Sequence, residues 1–577
     1  MADLAVSMPR ERRRWPTLPF RSQGLVLAAL CLFVALLSFA PLARLVLTAV
    51  APDGAVDFGR LADLLLKTRT FVATVNSLHV AVASTAVAVV IGTMAAILTV
   101  HTDMRCKTVW VFGFVLPLMI PPQVTALAWV QAFSPTSPVL GLLGLALPPG
   151  ARHPLFSASG IIILLGLYNA PLVFLTVRAA LRRLPPNLAE AARAAGAGNW
   201  TLFATVVLPL ARSGIVAGAA LAFVSAIGNF GIQAMLGIPA RFPTLITLIY
   251  QQLNSYGPSA LADMAALALF LSVITVVGLG VNSLFGRRAD IRVEGGGHPV
   301  AVDLGRYRPW VEAAAWLFLV ATLILPLSAL VATSLVRGFG QSLNVANLTL
   351  VNYQNALFHH GAIRDAFLTS LSLTTGATVI LVAVSVFLAY FLTWQKGPLP
   401  RLLAIATEIS YALPGIILGV SMILFFLKPL PLLGFSIYGT VWIILAAYLA
   451  HFLALALRPI LGGFAQIHRS LEEAAQAAGA GFLQRMRDVI LPLVAPAAVA
   501  AGVIVFMSAL NEIQVSILLV SSGARTIGPM IVFLEEGGSS TLAAAVGCLM
   551  IVIVLLLMLA ASLLAGRLPK GALPWQD

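Results

Sequence analysis

Two segments of this 577-residue chain carry most of its chemical information: EAARAAGAGNWTLFATVVLPL at 190–210 and EAAQAAGAGFLQRMRDVILPL at 473–493. Neither holds a nucleophile or a metal-ligand pattern, so the chemistry they suit is recognition. Alanine and glutamate favour a short helix, which Gly196 or Gly479 interrupts. Pro209 or Pro492, preceded by Leu208 or Leu491, stands where a following helix would begin. Each segment is therefore expected to form two short helices at an angle, lying along the cytoplasmic surface of a membrane. Ala191 and Ala192, like Ala474 and Ala475, would offer a shallow face for close packing. Glu190 and Glu473 would be available to a basic residue on a partner.

The elements that must hold these segments are set by composition. The chain is 60% apolar and only 10% charged, with a mean hydropathy of +0.98. Soluble domains carry roughly 25% charged residues, which leaves an all-α polytopic membrane protein. Its three cysteines read as free thiols. A bilayer core needs about 20 apolar residues per helix. Twelve stretches qualify: 25–50, 72–100, 108–133, 157–178, 211–236, 260–285, 310–335, 366–394, 402–427, 437–457, 494–520 and 541–566. Prolines inside them predict kinked or broken helices around 117–122 and 414.

The formal charge of +14 needs no nucleic-acid partner, because the basic residues sort by side. With a cytoplasmic N-terminus, 25 of the 35 lysines and arginines fall in inner segments, which places both termini inside. The cationic start, RERRRWPTLPFR, flanks an apolar run too long for a cleaved signal and reads as an uncleaved first helix. The expected organisation is a basic N-tail (1–24), a first half (25–285, core about 70–285), a glycine-containing linker (286–309), a second half (310–566, core about 365–565) and a C-tail (567–577).

The halves repeat. Residues 190–236 align with 473–519 without a gap, and 18 of the 47 pairs are identical. Six helices per half give both halves the same orientation, and such parallel repeats place a substrate path at their interface. Within it, polar residues in apolar runs are the candidates for lining. The repeat pairs Asn229 with Glu512, and Gln233, Asn511 and Gln514 lie at the same level. Helix-gluing by the same amides is the alternative. Glu408, Tyr411 and His451 suit structural roles better, and His359 with His360 in an outer loop suits contact with a binding protein better than metal binding.

The repeated segment resembles the EAA loop of permeases from binding-protein-dependent ABC importers of the type I fold: Glu-Ala-Ala, three residues, Gly, nine residues, Ile, one residue, Leu-Pro. Val206 and Val489 stand in place of the isoleucine. The resemblance covers about 70–285 and 365–565. It implies that the loops are coupling helices docking on two copies of a cytoplasmic ABC ATPase, and that a periplasmic binding protein delivers the solute. ATP would be bound by the partner alone, since the chain has no Gly-Lys dipeptide and hence no phosphate-binding loop; it carries no cofactor and is not an enzyme. Two halves fused in one chain resemble ferric-iron permeases of the bacterial inner membrane, as do LPLMIPPQVTALAWV at 116–130, NFGIQAMLGIPARFPTLITLIYQQL at 229–253 and NEIQVSILLVSSGARTIGPMIVFLEEGG at 511–538. Ferric iron is the leading cargo; 2-aminoethylphosphonate, thiamine or another small anion or polyamine is the alternative. An ion-coupled secondary transporter working through Glu512 is the rival from another class.

Overall fold

A computed structural model describes residues 19–287 and 303–564, apart from 53, 146, 149, 184–185, 254, 256–258, 342, 396 and 430–433. The N-tail before 19, most of the linker and the C-tail lie outside the described residues. The regular secondary structure is helical, with two isolated β-bridges and no strand among the described residues. Among the described residues nine helices are long and apolar enough to cross a bilayer, and three more apolar pairs join at sharp bends. Counting each pair as one span gives twelve.

The bends fall where proline chemistry dictates. Lys107–Met119 and Pro122–Ala132 meet at 106°, and Pro398–Ala412 and Gly415–Phe426 meet at 110°. Ile120 before Pro121 and Leu413 before Pro414 are both extended, the conformation that a following proline imposes. Four other prolines are handled differently. Pro41, Pro209, Pro326 and Pro492 each follow a single π turn, closed by i→i−5 bonds from Ala40, Leu208, Leu325 and Leu491. The widened turn moves the preceding carbonyls away from the proline ring, which would collide with them in a regular α-helix.

This corrects one expectation. Pro209 and Pro492 do not start a new helix; they ride inside one. In the second half Phe482–Leu510 is a single helix of 29 residues, while in the first Asn199–Leu210 and Arg212–Gly228 bend by 60°. The second short helix of each loop is thus the leading end of the next span. A second correction concerns 211–236 and 494–520, each expected as one span. Each is broken, with Phe230–Gly237 following a break at Asn229 and Ser516–Leu519 following one at 511–515.

Close packing holds the bundle. In the first half Thr68–His101 lies against Ala158–Arg182 through reciprocal glycines. A β-carbon on Gly92 would meet the Ala170 carbonyl at 2.6 Å, and one on Gly166 would meet Val87 at 2.5 Å. Small residues allow this approach, which dispersion then rewards. The halves also exchange their leading helices. Ser22–Val50 packs on Gly415–Phe426 and Ala260–Arg287, and Gly305–Ser334 packs on Pro122–Ala132 and Ser540–Leu564. The second strap is fastened by Trp110 Nε1 donating to the Ala315 carbonyl at 3.0 Å, and by Arg308 paired with Asp103 at 3.2 Å. Each sequence half is therefore clasped by a helix of the other.

Candidate functional site

The two repeated loops fold alike at the glycine. Pro186–Ala194 and Arg469–Ala477 are helices. Gly196 and Gly479 both have φ near +85°. Their N–H groups donate to the carbonyls of Arg193 and Gln476, and those of Ala197 and Ala480 donate to Ala192 and Ala475. This is the Schellman ending, in which the C′ residue must be left-handed. No atom lies within 4 Å of where a β-carbon would be on either glycine, so backbone conformation rather than space demands it.

On both sides of the glycine the two loops present apolar side chains to solvent at matched positions. Leu188, Trp200 and Leu208 are exposed in the first, Leu471, Leu483 and Leu491 in the second. Trp200 is 83% exposed. Glu190, Ala191, Glu473 and Ala474 are exposed on the same helices, and Ala192 and Ala475 are half-buried. Glu473 meets Arg469 at 3.1 Å, a pair more than half exposed on both sides and so worth little to stability.

The second loop has a buried anchor that the repeat does not share. Arg485 Nε lies 3.0 Å from Glu472 Oε1, with both side chains under a tenth exposed, and Tyr390 donates to the same oxygen at 3.1 Å. The Arg485 Nε–H is off-line for a hydrogen bond, so the contact is a close charge pair. The corresponding residues of the first loop are Ala189 and Leu202. Sequence reading passed over this pair because neither spacing nor type reports burial.

Deeper in the bundle the four helix breaks meet. Asn511 Nδ2 donates to the Met119 carbonyl at 2.8 Å, tying the second half to the first half's break. Gly415 N–H donates to Gln514 Oε1 at 2.9 Å. A β-carbon on Gly228 would reach Pro414 at 3.2 Å, and one on Gly231 would reach the Gln123 backbone at 2.8 Å. Gly231 is thus required for the close approach of backbones at the crossing.

Asn229 and Glu512 occupy equivalent places there as helix caps. Asn229 Oδ1 accepts from Ile232 N–H at 3.0 Å. Glu512 accepts from Val515 N–H at 2.6 Å, from Ser516 N–H at 3.1 Å and from Ser516 Oγ at 2.8 Å. With the Ser516 proton so used, Tyr448 donates to Ser516 Oγ at 2.8 Å. Both caps are buried, and a carboxylate at a helix N-terminus with three donors is well placed electrostatically. Gln233 donates to the Ala226 carbonyl at 2.8 Å. The crossing therefore gathers all five residues that the sequence singled out for a pathway. It adds Gln123, which was missed, although a polar residue just after Pro121–Pro122 in an apolar run is the same kind of signal that marked Asn229.

The residues set aside behave structurally. Glu408 pairs with Arg458 at 2.6 Å, each about half exposed. Arg458 lies over the Tyr411 ring at 4.7 Å, and His451 packs on Phe452. His359 and His360 are exposed. No group of metal-ligating side chains assembles among the described residues, and the three cysteines are unpaired.

The sequence has relatives among known proteins. A probable ABC transporter permease of Sinorhizobium fredii is 26% identical over 80% of this chain and 81% of its own length. A ferric transport system permease of Actinobacillus pleuropneumoniae is 26% identical over 76% of this chain and 63% of its own. A molybdenum transport system permease of Azotobacter vinelandii is 30% identical over 31% of this chain and 79% of its own. The pattern of one family matches twice, over 88–291 and 381–571, which together exceed half the chain. Two permease units in one all-α membrane protein are thus present, and the chain belongs to the family described as the binding-protein-dependent transport system inner membrane component, a transport component and not an enzyme.

Proposed function

We propose that this permease forms the pathway of an ATP-driven importer, and that two copies of a cytoplasmic ABC ATPase dock on the loops at 186–210 and 469–493. The observation that carries this reading is the matched pair of loops, with the same left-handed glycine and the same exposed apolar positions. A grooved partner would bury Leu188 and Trp200 on one side and Leu471 and Leu483 on the other, with Glu190 and Glu473 offered to its basic residues. Both termini are cytoplasmic, ATP stays on the partner, and a periplasmic binding protein docks on the outer loops at 134–156, 237–259 and 336–365. The ATPase drives the change because it binds the two states of the permease with different affinity. Its closure draws the loops together, the halves 25–285 and 310–566 rock about the crossing, and the strap helices carry the motion of each half to the other.

The cargo in this reading is ferric iron. A ferric permease resembles the chain across most of its length, and Glu512 places a buried carboxylate at the crossing. A carboxylate there suits a cation. The molybdenum relative supports an oxyanion as the second reading, over a smaller part of the chain. Radiolabelled ferric iron and molybdate can be offered to cells lacking the permease gene and to cells with it restored. Recovery of iron uptake is expected; recovery of molybdate uptake alone would overturn the cargo assignment.

A further inference from the structure

Gln123 is wholly buried, and neither its Nε2 nor its Oε1 has a hydrogen-bond partner among the described residues. It stands in the first turn after the break at Ile120–Pro121, with its backbone filling the space left by Gly231. Its Nε2 lies 3.3 Å from where a β-carbon on Gly528 would be, and the Glu512 carbonyl lies 2.9 Å from that same point. The amide thus reaches the seam where the second half's break passes. Two more amide oxygens on residues of this crossing are buried and unpartnered: Asn511 Oδ1 and Gln233 Oε1. Their NH2 groups are already committed to the carbonyls of Met119 and Ala226.

A buried amide without partners is less favourable than an apolar side chain of the same shape. The described residues give Gln123 no partner in this conformation, and a parting of the halves would open its polar atoms to new ones. The halves meet here, and their separation would expose the three amide oxygens to whatever enters. Neutral carbonyl-type oxygens are hard ligands that replace the water shell of a hard cation while holding it weakly enough to release.

We propose that Gln123, with Gln233 and Asn511, forms a neutral carboxamide constriction that takes over the hydration shell of a hard metal cation as the halves part. This rests on the reading that the crossing is the pathway. Gln123 is the group whose role separates from the fold, because leucine can replace it without orphaning any other atom.

The test uses the intact importer, purified with its ATPase and binding protein, and the same variants in cells. Gln123→Leu should match or exceed the wild type in thermal stability and keep ATP hydrolysis stimulated by the binding protein. Its maximal uptake of radiolabelled ferric iron should fall about tenfold or more, a loss of roughly 1.4 kcal/mol per decade. Gln123→Asn, which keeps a neutral carboxamide oxygen, should recover part of that uptake. Normal iron uptake by Gln123→Leu overturns the proposal, and so does a parallel loss of stability and uptake, which would mark a structural amide. If the wild type shows no stimulated hydrolysis, the importer reading itself fails, and that is seen before any variant is made.

Discussion

Asn511 and Met119 belong to different halves of the chain, yet the Asn511 side chain donates a 2.8 Å hydrogen bond to the Met119 carbonyl. The bond joins one break to the other, at the point about which the halves would rock. Asn511→Ala leaves that carbonyl without its donor, at a cost of about 1–3 kcal/mol. Denaturant unfolding of the purified variant in detergent should show the loss; unchanged stability would mean that the two breaks are held together by packing alone.

Glu472 and Arg485 give the sharpest mutational contrast, because the first repeat shows what replaces them. Arg485→Ala strands a buried carboxylate, and about 3–5 kcal/mol of stability should go with it. The double variant Glu472→Ala with Arg485→Leu copies Ala189 and Leu202 and should be close to wild type. Thermal unfolding of the single and double variants checks both, and a double variant as unstable as the single would refute the equivalence.

Much of the fold was legible because it depends on local chemistry. Twelve spans, the breaks at Pro121 and Pro414 and the paired loops follow from apolar length, proline geometry and a repeated motif. The roles of Asn229 and Glu512 were not legible. Their polarity marked them, but only the broken spans make them caps. Glu472 went unnoticed because its burial depends on Tyr390 and Arg485 arriving from elsewhere. Hydropathy also carries no information about partners, so the exchange of the leading helices was invisible.

The left-handed glycines of the loops are open to a direct check. Gly196→Ala and Gly479→Ala place a β-carbon in a conformation that costs about 1–2 kcal/mol per residue, although nothing nearby would collide with it. Each variant should insert normally and lose part of its uptake, while asparagine at either position should be better tolerated than alanine. Equal uptake by the alanine and asparagine variants would show that the angle set by the Schellman ending is dispensable.

His153 makes the loop before Ala158–Arg182 sensitive to acid. Its Nε2–H donates to the Val130 carbonyl at 2.9 Å, and Leu155 N–H donates to its Nδ1 at 3.2 Å. The second bond needs the neutral ring, because a protonated Nδ1 cannot accept. Burial holds its pKa below the usual 6.5, so the folded loop takes up a proton less readily than the unfolded chain. Its stabilisation is full above the unfolded value and is lost as pH falls through the lowered one. Measured against the intrinsic exchange rate at each pH, the protection of amides around 153–157 should therefore fall as the pH drops below neutral, and His153→Gln should remove that dependence.

The central claim is that the two matched loops couple this permease to an ATPase. It is tested most directly by replacing Glu190 and Glu473 together with alanine and measuring uptake against the amount of permease in the membrane. Both side chains are exposed and make no buried contact, so folding and insertion should be unchanged while uptake is abolished. Normal uptake by the double variant would contradict the account.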